Sequence, residues 1–383
     1  MKLNKGKGLL FSLGAVALGL SLLGGINEKV SANSSTPITT IASKSQIPGT
    51  KSPSFLYGRG LVTTHTDKSH NGRLYATSEH YVNGTPTFLI FESLNNAKSW
   101  KKISEINDTH NFLANNKPWG NRYQPFLYEL PEKIGKMPAG TIICAGNSIP
   151  NDLSKTSIDL YFSKDHARSW QYLSTIAVGG HADVNTTSNG PVWEPFVSVI
   201  DHKLVCYFSD ERDKPLHSQK LSHRVSKDGI NWGDEVDDVA FKEPAARPGM
   251  VTVARMKNGK YIMTYEVVNS GEWRTNYKIS ADGLNWNASD EGTRLAYGGA
   301  PYVVTLHNGD IVANTDGSGD LYVNKNNGEA GAWQDVKTGI PLAYSRSLTV
   351  LPNDDLLIVS GGPLKAPTDP NSNDLTSTIF SFK

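Results

Sequence analysis

The chain has 383 residues, a formal net charge of +1 and a charged-residue content of 20%. This near-neutral balance argues against a nucleic-acid-binding protein, because such proteins need a concentrated basic face. It is compatible with an uncharged ligand.

The first 32 residues have the pattern of a secretory signal peptide. Three lysines precede an apolar run from Leu9 to Ile26, and small residues up to Ala32 fit a cleavage site. We therefore expect a secreted, extracellular protein whose mature chain begins near Asn33. An uncleaved membrane anchor is the alternative, since the run is long enough to span a bilayer. Loss of the segment removes four lysines and one glutamate, so the net charge becomes −2. After cleavage we expect no stable membrane insertion.

A turn followed by an apolar strand recurs six times along the rest of the chain. The six turns are Asn71-Gly72, Ala139-Gly140, Asp201-His202, Asn258-Gly259, Asn308-Gly309 and Asn353-Asp354. Repeats of this size with one short sheet each are typical of a β-propeller. The pattern predicts an all-β fold, a six-bladed β-propeller over residues 55–383. Residues 33–54 read as a linker with one strand, within 37–43, that adds to the last unit and closes the ring.

A second repeat runs in phase with the first and has the Asp-box pattern of a serine, an acid or amide, and a tryptophan. Its copies are Ser93 to Trp100, Ser163 to Trp170, Ser226 to Trp232, Ser280 to Trp286 and, more loosely, Asn324 to Trp333. The side chain of the acid or amide can bond backbone N–H groups of a hairpin while the tryptophan packs beneath. We expect structural hairpins rather than calcium or ligand loops, because each box has a single acidic residue.

A third repeat precedes the turns and begins the first strand of each unit. Its leading residues are Arg59, Gln124, Glu194, Arg247, Ala300 and Arg346. The eighth place of each copy, counted from the second turn residue, holds Glu79, Asn147, Ser209, Glu266, Asp316 and Gly361. Propeller ligands bind where the inner strands converge, so the polar members of both sets are predicted to ring one site.

Two glutamates stand out within this ring. Glu194 and Glu266 belong to neighbouring units, and both have apolar neighbours in the sequence. Burying such groups is costly unless they are paired or used. A pair of carboxyl groups that flank one bond is what glycoside cleavage requires. The alternative for either residue alone is a structural carboxylate bonded to a nearby arginine.

Around these residues the chain resembles glycoside hydrolase family 93, the exo-arabinanases of the sialidase-like clan. The matching motifs are Arg122 to Pro131, Ala145 to Pro150, Pro191 to Phe196, Tyr207 to Asp213 with Gln219 to His223, Ala246 to Met250, and Lys260 to Glu266. They are long and ordered, and the resemblance extends over residues 55–383.

The resemblance implies an enzyme that releases arabinobiose from the non-reducing end of linear α-1,5-L-arabinan with retention of configuration. Two glutamates do the chemistry in that family, and they correspond to Glu194 and Glu266. We assign Glu194 as the acid/base and Glu266 as the nucleophile.

Supporting roles are assigned to further residues. Trp119, Trp193, Tyr265 and Tyr344 are candidates for stacking on sugar faces, or else parts of the core. Arg59, Arg247 and Arg346 are candidates for bonding sugar hydroxyls or for holding Glu79, Asp210 and Asp316 ionised; Gln124 completes the predicted site. We expect no metal and no cofactor, because the ten histidines show no His-Glu-x-x-His or close paired spacing. We expect a monomer, and two buried thiols at Cys144 and Cys206 rather than a disulfide.

Two other functions fit parts of the pattern. A sialidase could clamp a carboxylate with three arginines and use Tyr344 as nucleophile. The Arg-Ile-Pro motif of that family is missing, however, because Tyr57-Gly58-Arg59-Gly60 stands in its place. A non-catalytic carbohydrate-binding propeller would explain the repeats but not the two glutamates. The segment His65–His70 departs from the family pattern, and we expect it to reshape the pocket.

Overall fold

The computed structural model describes residues 33–109, 118–183, 185–186, 188–366 and 368–382. The predicted signal peptide lies outside these residues. The described residues form 25 β-strands in six sheets and contain no helix, so none that could cross a membrane. The prediction of an all-β, six-bladed propeller is confirmed.

The first three blades are four-stranded. Blade I comprises β3 (Thr50–Val62), β4 (Leu74–Val82), β5 (Phe88–Ser93) and β6 (Lys101–Ile106). Blade II comprises β7 (Trp119–Glu129), β8 (Ile142–Pro150), β9 (Thr156–Ser163) and β10 (Gln171–Gly179). Blade III comprises β11 (Val192–Ile200), β12 (Lys203–Asp210), β13 (Lys220–Ser226) and β14 (Val236–Val239). The first strand of each blade is innermost and contacts the first strand of the next.

The other three blades repeat the plan, and the two inner strands are shorter in blades V and VI. Blade IV comprises β15 (Arg247–Arg255), β16 (Tyr261–Val268), β17 (Arg274–Ser280) and β18 (Thr293–Tyr297). Blade V comprises β19 (Tyr302–Thr305), β20 (Ile311–Asn314), β21 (Leu321–Asn324) and β22 (Trp333–Val336). Blade VI comprises β23 (Ser347–Val350), β24 (Leu356–Ser360) and β25 (Leu375–Ser381), together with β1 (Ser34–Ser35) and β2 (Thr39–Ala42).

The N-terminal strands close the ring. Both β1 and β2 pair antiparallel with β25, so the outer edge of blade VI is supplied by the start of the described chain. Ile41 and Ala42 pack into the core cluster that lies between blades VI and I. The first strand of blade I begins at Thr50, within the segment that the sequence assigned to the linker.

The turns explain why each pair of inner strands folds back on itself. Gly72 and Gly259 have φ values of 84° and 85°, which residues with a side chain rarely adopt. In blade III Asp201 and His202 take φ values of 49° and 59° instead. Two successive residues with positive φ match the right-handed twist of the strands that they join.

The Asp-boxes are structural and also connect blades. In blade II the Ser163 hydroxyl accepts the Ala167 N–H at 2.9 Å, and Asp165 accepts the Ser169 N–H at 2.9 Å. The Trp170 indole N–H then donates to the Ser104 hydroxyl of blade I at 3.1 Å. Trp100 and Trp232 make the same kind of bond to a serine of the preceding blade. The boxes therefore set the packing between neighbouring outer strands.

Both cysteines are free and fully buried, as expected. Cys144 and Cys206 lie in the second strands of blades II and III and belong to different core clusters. They act as small apolar side chains.

Replacing Ile41 tests whether the N-terminal closure stabilises the ring. Ile41→Ala removes a side chain that is 6% exposed, and we expect the free energy of unfolding in urea to fall by about 2–4 kcal/mol. Ile38→Ala is the matched control, since Ile38 is 51% exposed and should cost less than about 1 kcal/mol. Equal losses in the two variants would contradict the packing of β2 against the core.

Candidate active site

A pocket opens where the inner strands end, at the face of the propeller opposite to the six turns. It encloses a cavity of about 300 Å³. Its lining residues are Leu56, Glu79, Tyr81, Tyr123, Gln124, Trp193, Glu194, Gln219, Arg247, Glu266, Tyr344 and Leu364. They come from blades I to IV, from the loop before β23 and from the loop between β24 and β25.

Each first strand carries a residue in the left-handed conformation near this face. These residues are Tyr57, Gln124, Glu194, Met250, Ala300 and Ser345, with φ values between 47° and 55°. In blades I to IV each is the first of two residues that oppose a single residue of the second strand. This is a β-bulge, which redirects side chains and is frequent beside active sites. Each such residue costs on the order of 1–3 kcal/mol of strain.

The bulges aim backbone N–H groups at the carboxyl groups of the preceding blade. Gln124 N–H donates to Glu79 at 3.1 Å, and Ala300 N–H donates to Glu266 at 2.9 Å. Met250 N–H makes a longer bond to Glu194, at 3.4 Å. The same backbone feature thus positions all three glutamates of the pocket.

Burial raises the pKa of each of these carboxyl groups to about 7. Loss of solvent around the charged form is the largest cause in all three. For Glu266 the second cause is the nearby charge of Glu194. For Glu194 a hydrogen bond with Ser209 opposes the rise. Glu194 and Glu266 are therefore coupled, because the charge of one opposes ionisation of the other.

Comparison with solved structures identifies the family. The α-L-arabinofuranosidase of Fusarium graminearum from family GH93, in complex with arabinobiose, is 36% identical, with a TM-score of 0.77 over 91% of this chain and 97% of that chain. The α-L-arabinanase of Penicillium chrysogenum, complexed with arabinobiose, is also 36% identical, with a TM-score of 0.80 over 91% and 98%. The chain belongs to glycoside hydrolase family 93. The resemblance found in the sequence motifs is confirmed, and the protein is a glycoside hydrolase.

More distant matches share the fold alone. The NanB sialidase of Streptococcus pneumoniae is 12% identical, with a TM-score of 0.56 over 90% of this chain and 70% of that chain. A scan against protein-family models and a search of curated proteins find no match for this family 93 chain.

Seven of the site residues predicted from the sequence line the pocket of this family 93 hydrolase. They are Glu79, Gln124, Trp193, Glu194, Arg247, Glu266 and Tyr344. Glu194 and Gln124 are further tied together, because the Gln124 amide donates to Glu194 at 3.3 Å and accepts its N–H at 3.3 Å.

Arg59 and Arg346 do not line the pocket, and their predicted place was wrong. The repeat was aligned on arginines, but the equivalent positions are the bulge residues Tyr57 and Ser345. Arg59 lies two residues further on, under the Tyr57 ring with 3.7 Å from its guanidinium carbon to the ring centroid. Arg346 is buried and donates to backbone carbonyls of blade V, among them that of Ser318 at 2.6 Å.

Two predicted carboxylates also lie outside the pocket. Asp210 forms an ion pair with Arg212 at 2.8 Å. Asp316 accepts the Gly299 N–H at 2.7 Å, and burial raises its pKa. Gly299 precedes the bulge residue Ala300, so Asp316 acts on Glu266 through the backbone and through its charge.

Some of the predicted aromatic residues line the pocket and others lie outside it. Trp119 and Tyr265 are buried in the blades, and the Tyr265 hydroxyl donates to the Glu291 carbonyl at 2.6 Å. Tyr265 precedes Glu266, so the strand alternation turns it away from the pocket. Two tyrosines that the sequence analysis missed, Tyr81 and Tyr123, do line it.

Tyr81, Tyr123 and Trp193 form an aromatic row across blades I to III. The ring centroids lie 6.1 Å apart between the two tyrosines and 6.2 Å apart between Tyr123 and Trp193. The Tyr81 hydroxyl also donates to Glu79 at 3.1 Å. Tyr81 could have been found from the sequence, since it lies two positions from Glu79 on the same face of a strand. Tyr123 lies directly before Gln124 and lines the pocket because the bulge there breaks the alternation.

Glu211 was also missed, as was the pocket residue Gln219, and Glu211 holds one wall of the pocket. Its carboxylate is fully buried and accepts bonds from Trp193 Nε1 at 3.0 Å and Arg247 Nη2 at 2.7 Å. It also pairs with Lys214 at 2.8 Å. Gln219 accepts a second bond from Arg247 at 2.6 Å. Trp193 and Arg247 are therefore positioned by a residue that does not line the pocket itself.

We expect that removing the charge of Glu211 strongly destabilises the protein. Glu211→Gln leaves Arg247 and Lys214 in a buried site without their counter-charge, so we expect the free energy of unfolding to fall by about 3 kcal/mol. Glu132→Gln is the matched control, because Glu132 pairs with His202 at the surface, 36% exposed, and should cost less than about 1 kcal/mol. Urea unfolding of both variants measures the difference. A Glu211→Gln protein as stable as the control would show that the buried carboxylate does not hold the wall.

Proposed function

We propose that the protein is a secreted, exo-acting hydrolase that releases arabinobiose from the non-reducing end of linear α-1,5-L-arabinan with retention. The observation that carries the proposal is the coupled pair Glu194 and Glu266 in one pocket, each with a pKa near 7. The two family 93 relatives complexed with arabinobiose support this substrate.

In this mechanism Glu266 is the nucleophile. The Ala300 N–H holds its Oε2 at 2.9 Å, which leaves Oε1 for attack on the anomeric carbon. Gly299 has no side chain, and a Cβ there would collide with Oε2. The ester formed between Glu266 and the sugar is then hydrolysed by water, so two displacements retain the configuration.

Glu194 is the acid/base. It donates its proton to the departing glycosidic oxygen and then takes a proton from the attacking water. Its contacts to Gln124 and Met250 are 3.3 and 3.4 Å long, so they stabilise the ionised form only weakly. Burial can therefore keep the proton on Glu194 until it is needed.

The remaining polar groups are suited to sugar hydroxyls. Arg247 and Gln219 offer donors, Glu79 offers a third carboxyl group, and the aromatic row of Tyr81, Tyr123 and Trp193 offers ring faces to a furanose. None of these contacts requires a charged substrate.

The geometry opposes the two alternatives. A sialidase-type clamp would need three arginines in the pocket, whereas Arg59 and Arg346 lie beneath it and among the carbonyls of blade V. A binding module would have no use for two coupled carboxyl groups with raised pKa values. Secretion through residues 1–32 and a monomeric state remain predictions.

The product profile tests the proposal directly. Purified protein is incubated with debranched arabinan, with a sialyl substrate and with neither. We expect arabinobiose as the product from the first, with the initial anomer of the same configuration as the substrate by NMR. Release of sialic acid would support the sialidase, and binding of arabinan without turnover would support the binding module.

The same assay separates the two glutamates. Glu266→Ala and Glu194→Ala should each reduce turnover of arabinan by at least about 10²-fold. Only Glu194→Ala should retain activity on an aryl arabinoside, because a good leaving group needs no proton. Normal rates on arabinan in either variant would overturn the assignment.

Ser209→Ala tests the roles through the pH profile of kcat/KM. Activity falls at low pH because the nucleophile is protonated, and at high pH because the acid/base is ionised. The profile is therefore a bell-shaped curve centred near pH 7. The Ser209 hydroxyl lowers the pKa of Glu194, so its loss raises that pKa. The alkaline limb should move up by about 0.5–1 pH unit, with the acid limb unchanged. A shift of the acid limb alone would make Glu194 the nucleophile.

A further inference from the structure

A group of three potential metal ligands lies at the face opposite to the pocket. Asp67 and His70 belong to the turn between β3 and β4 of blade I, and His166 belongs to the Asp-box turn of blade II. The segment His65–His70 therefore does not line the pocket, and the expectation that it reshapes the pocket is wrong. One ligand atom from each can be chosen so that all three lie within 4.8 Å of one another. The sequence spacing does not reveal the group, because about a hundred residues separate His70 from His166.

One carboxylate oxygen faces a nitrogen of each imidazole ring. Asp67 Oδ2 lies 2.8 Å from His70 Nδ1 and 3.5 Å from His166 Nε2. In a tetrahedral zinc site with bonds of 2.0–2.2 Å, ligand atoms lie roughly 3.3–3.5 Å apart. The second separation matches that range, whereas the first is a hydrogen-bond distance that has to lengthen when an ion enters.

The neighbours of the three residues orient them for this role. Ser69 donates from its backbone N–H to Asp67 Oδ1 at 2.9 Å, and both carboxylate oxygens face His70 Nδ1, at 2.9 and 2.8 Å. His166 Nδ1 lies 3.4 Å from the Thr66 hydroxyl, so a proton on Nδ1 leaves the lone pair of Nε2 facing Asp67. Bonds of this kind from the second ring nitrogen are usual for metal-binding histidines.

The Asp-box makes His166 a rigid part of the group. Its φ of 58° is fixed by the box, in which the Ser163 hydroxyl accepts the next backbone N–H. The His70 and His166 rings stack with 3.5 Å between centroids and 5° between planes. The box fixes the backbone of His166 and not its ring. An ion bound by both imidazoles must lie in both ring planes, so the rings have to tilt out of this stack; both side chains are 24% exposed, which leaves room for that movement.

The guanidinium charges near the group are partly offset. Arg73 and Arg168 both pair with the buried Glu92, at 3.2 and 2.8 Å. Two imidazoles and one carboxylate prefer a borderline divalent ion over Mg²⁺ or Ca²⁺, which take oxygen ligands.

We propose that Asp67, His70 and His166 bind a divalent transition-metal ion, with Zn²⁺ as the best match, and that the ion joins blades I and II. A water molecule would complete the coordination. The site is separate from the glutamates of the pocket, because the strand from Leu74 to Glu79 spans roughly 17 Å between them.

Calorimetric titration of Zn²⁺ into the EDTA-treated full-length protein tests the proposal. We expect saturable binding of one ion per chain. His166→Ala should weaken the affinity by at least about tenfold, and Zn²⁺ should raise the Tm of the unmodified protein but not of this variant.

His307→Ala is the matched control. His307 pairs with Asp354 at 2.7 Å and likewise joins turns of neighbouring blades, V and VI, but with a single histidine. The affinity of the His307→Ala variant for Zn²⁺ should equal that of the unmodified protein. Absence of one-to-one binding, or an equal loss in both variants, would overturn the proposal.

If His166→Ala does not fold, the absorption spectrum of the Co²⁺-loaded protein tests the site instead. Four-coordinate Co²⁺ with nitrogen and oxygen ligands absorbs visible light strongly, and we expect these bands in the unmodified protein and their loss in His70→Gln. A spectrum typical of hydrated Co²⁺ in the unmodified protein would show that the three side chains do not bind the ion together.

Discussion

The pocket depends on one backbone feature, the left-handed residue that each blade carries in its inner strand or just before it. In an unbroken antiparallel ladder the N–H groups near the axis would be used within the blade. The left-handed residue turns one N–H in each of blades II, IV and V toward the carboxyl group of the preceding blade. Glu79, Glu194 and Glu266 are held in this way without an arginine. The strain of these residues is offset by the packing of the blades.

This arrangement suits the acid and nucleophilic roles that we propose for the buried carboxyl groups. Strong pairing with arginine would keep them ionised, whereas burial with weak N–H bonds raises their pKa values to about 7. The one arginine in the wall, Arg247, is largely occupied by Glu211 and Gln219. Its charge is therefore balanced before any substrate arrives, and the coupled glutamates set their own proton distribution.

At the face opposite to the pocket, side chains rather than backbone N–H groups join neighbouring blades. Tryptophans of the Asp-boxes bond serines of the preceding blade. Histidine–carboxylate pairs connect the turns of blades II and III and of blades V and VI. The group of Asp67, His70 and His166 belongs to this set and differs by its second imidazole. Rigidity at this face allows the other face to carry strained residues and buried acids.

The sequence by itself determined the all-β class, the six repeats, the Asp-boxes and the family, because turns, alternation and box residues are local patterns that each copy repeats. It also brought Glu194 and Glu266 to one pocket, since both lie in long motifs of neighbouring units.

Only the tertiary structure decided which residue of each inner strand faces the pocket. A bulge moves every later side chain to the other face and leaves no mark in composition. For that reason Arg59 and Arg346, aligned with Gln124 and Glu194 by similarity, lie beneath the pocket or among the carbonyls of blade V. Glu211, Tyr81 and Tyr123 were missed for the same reason: their places depend on the register between strands and on contacts between blades, which a single repeat does not contain.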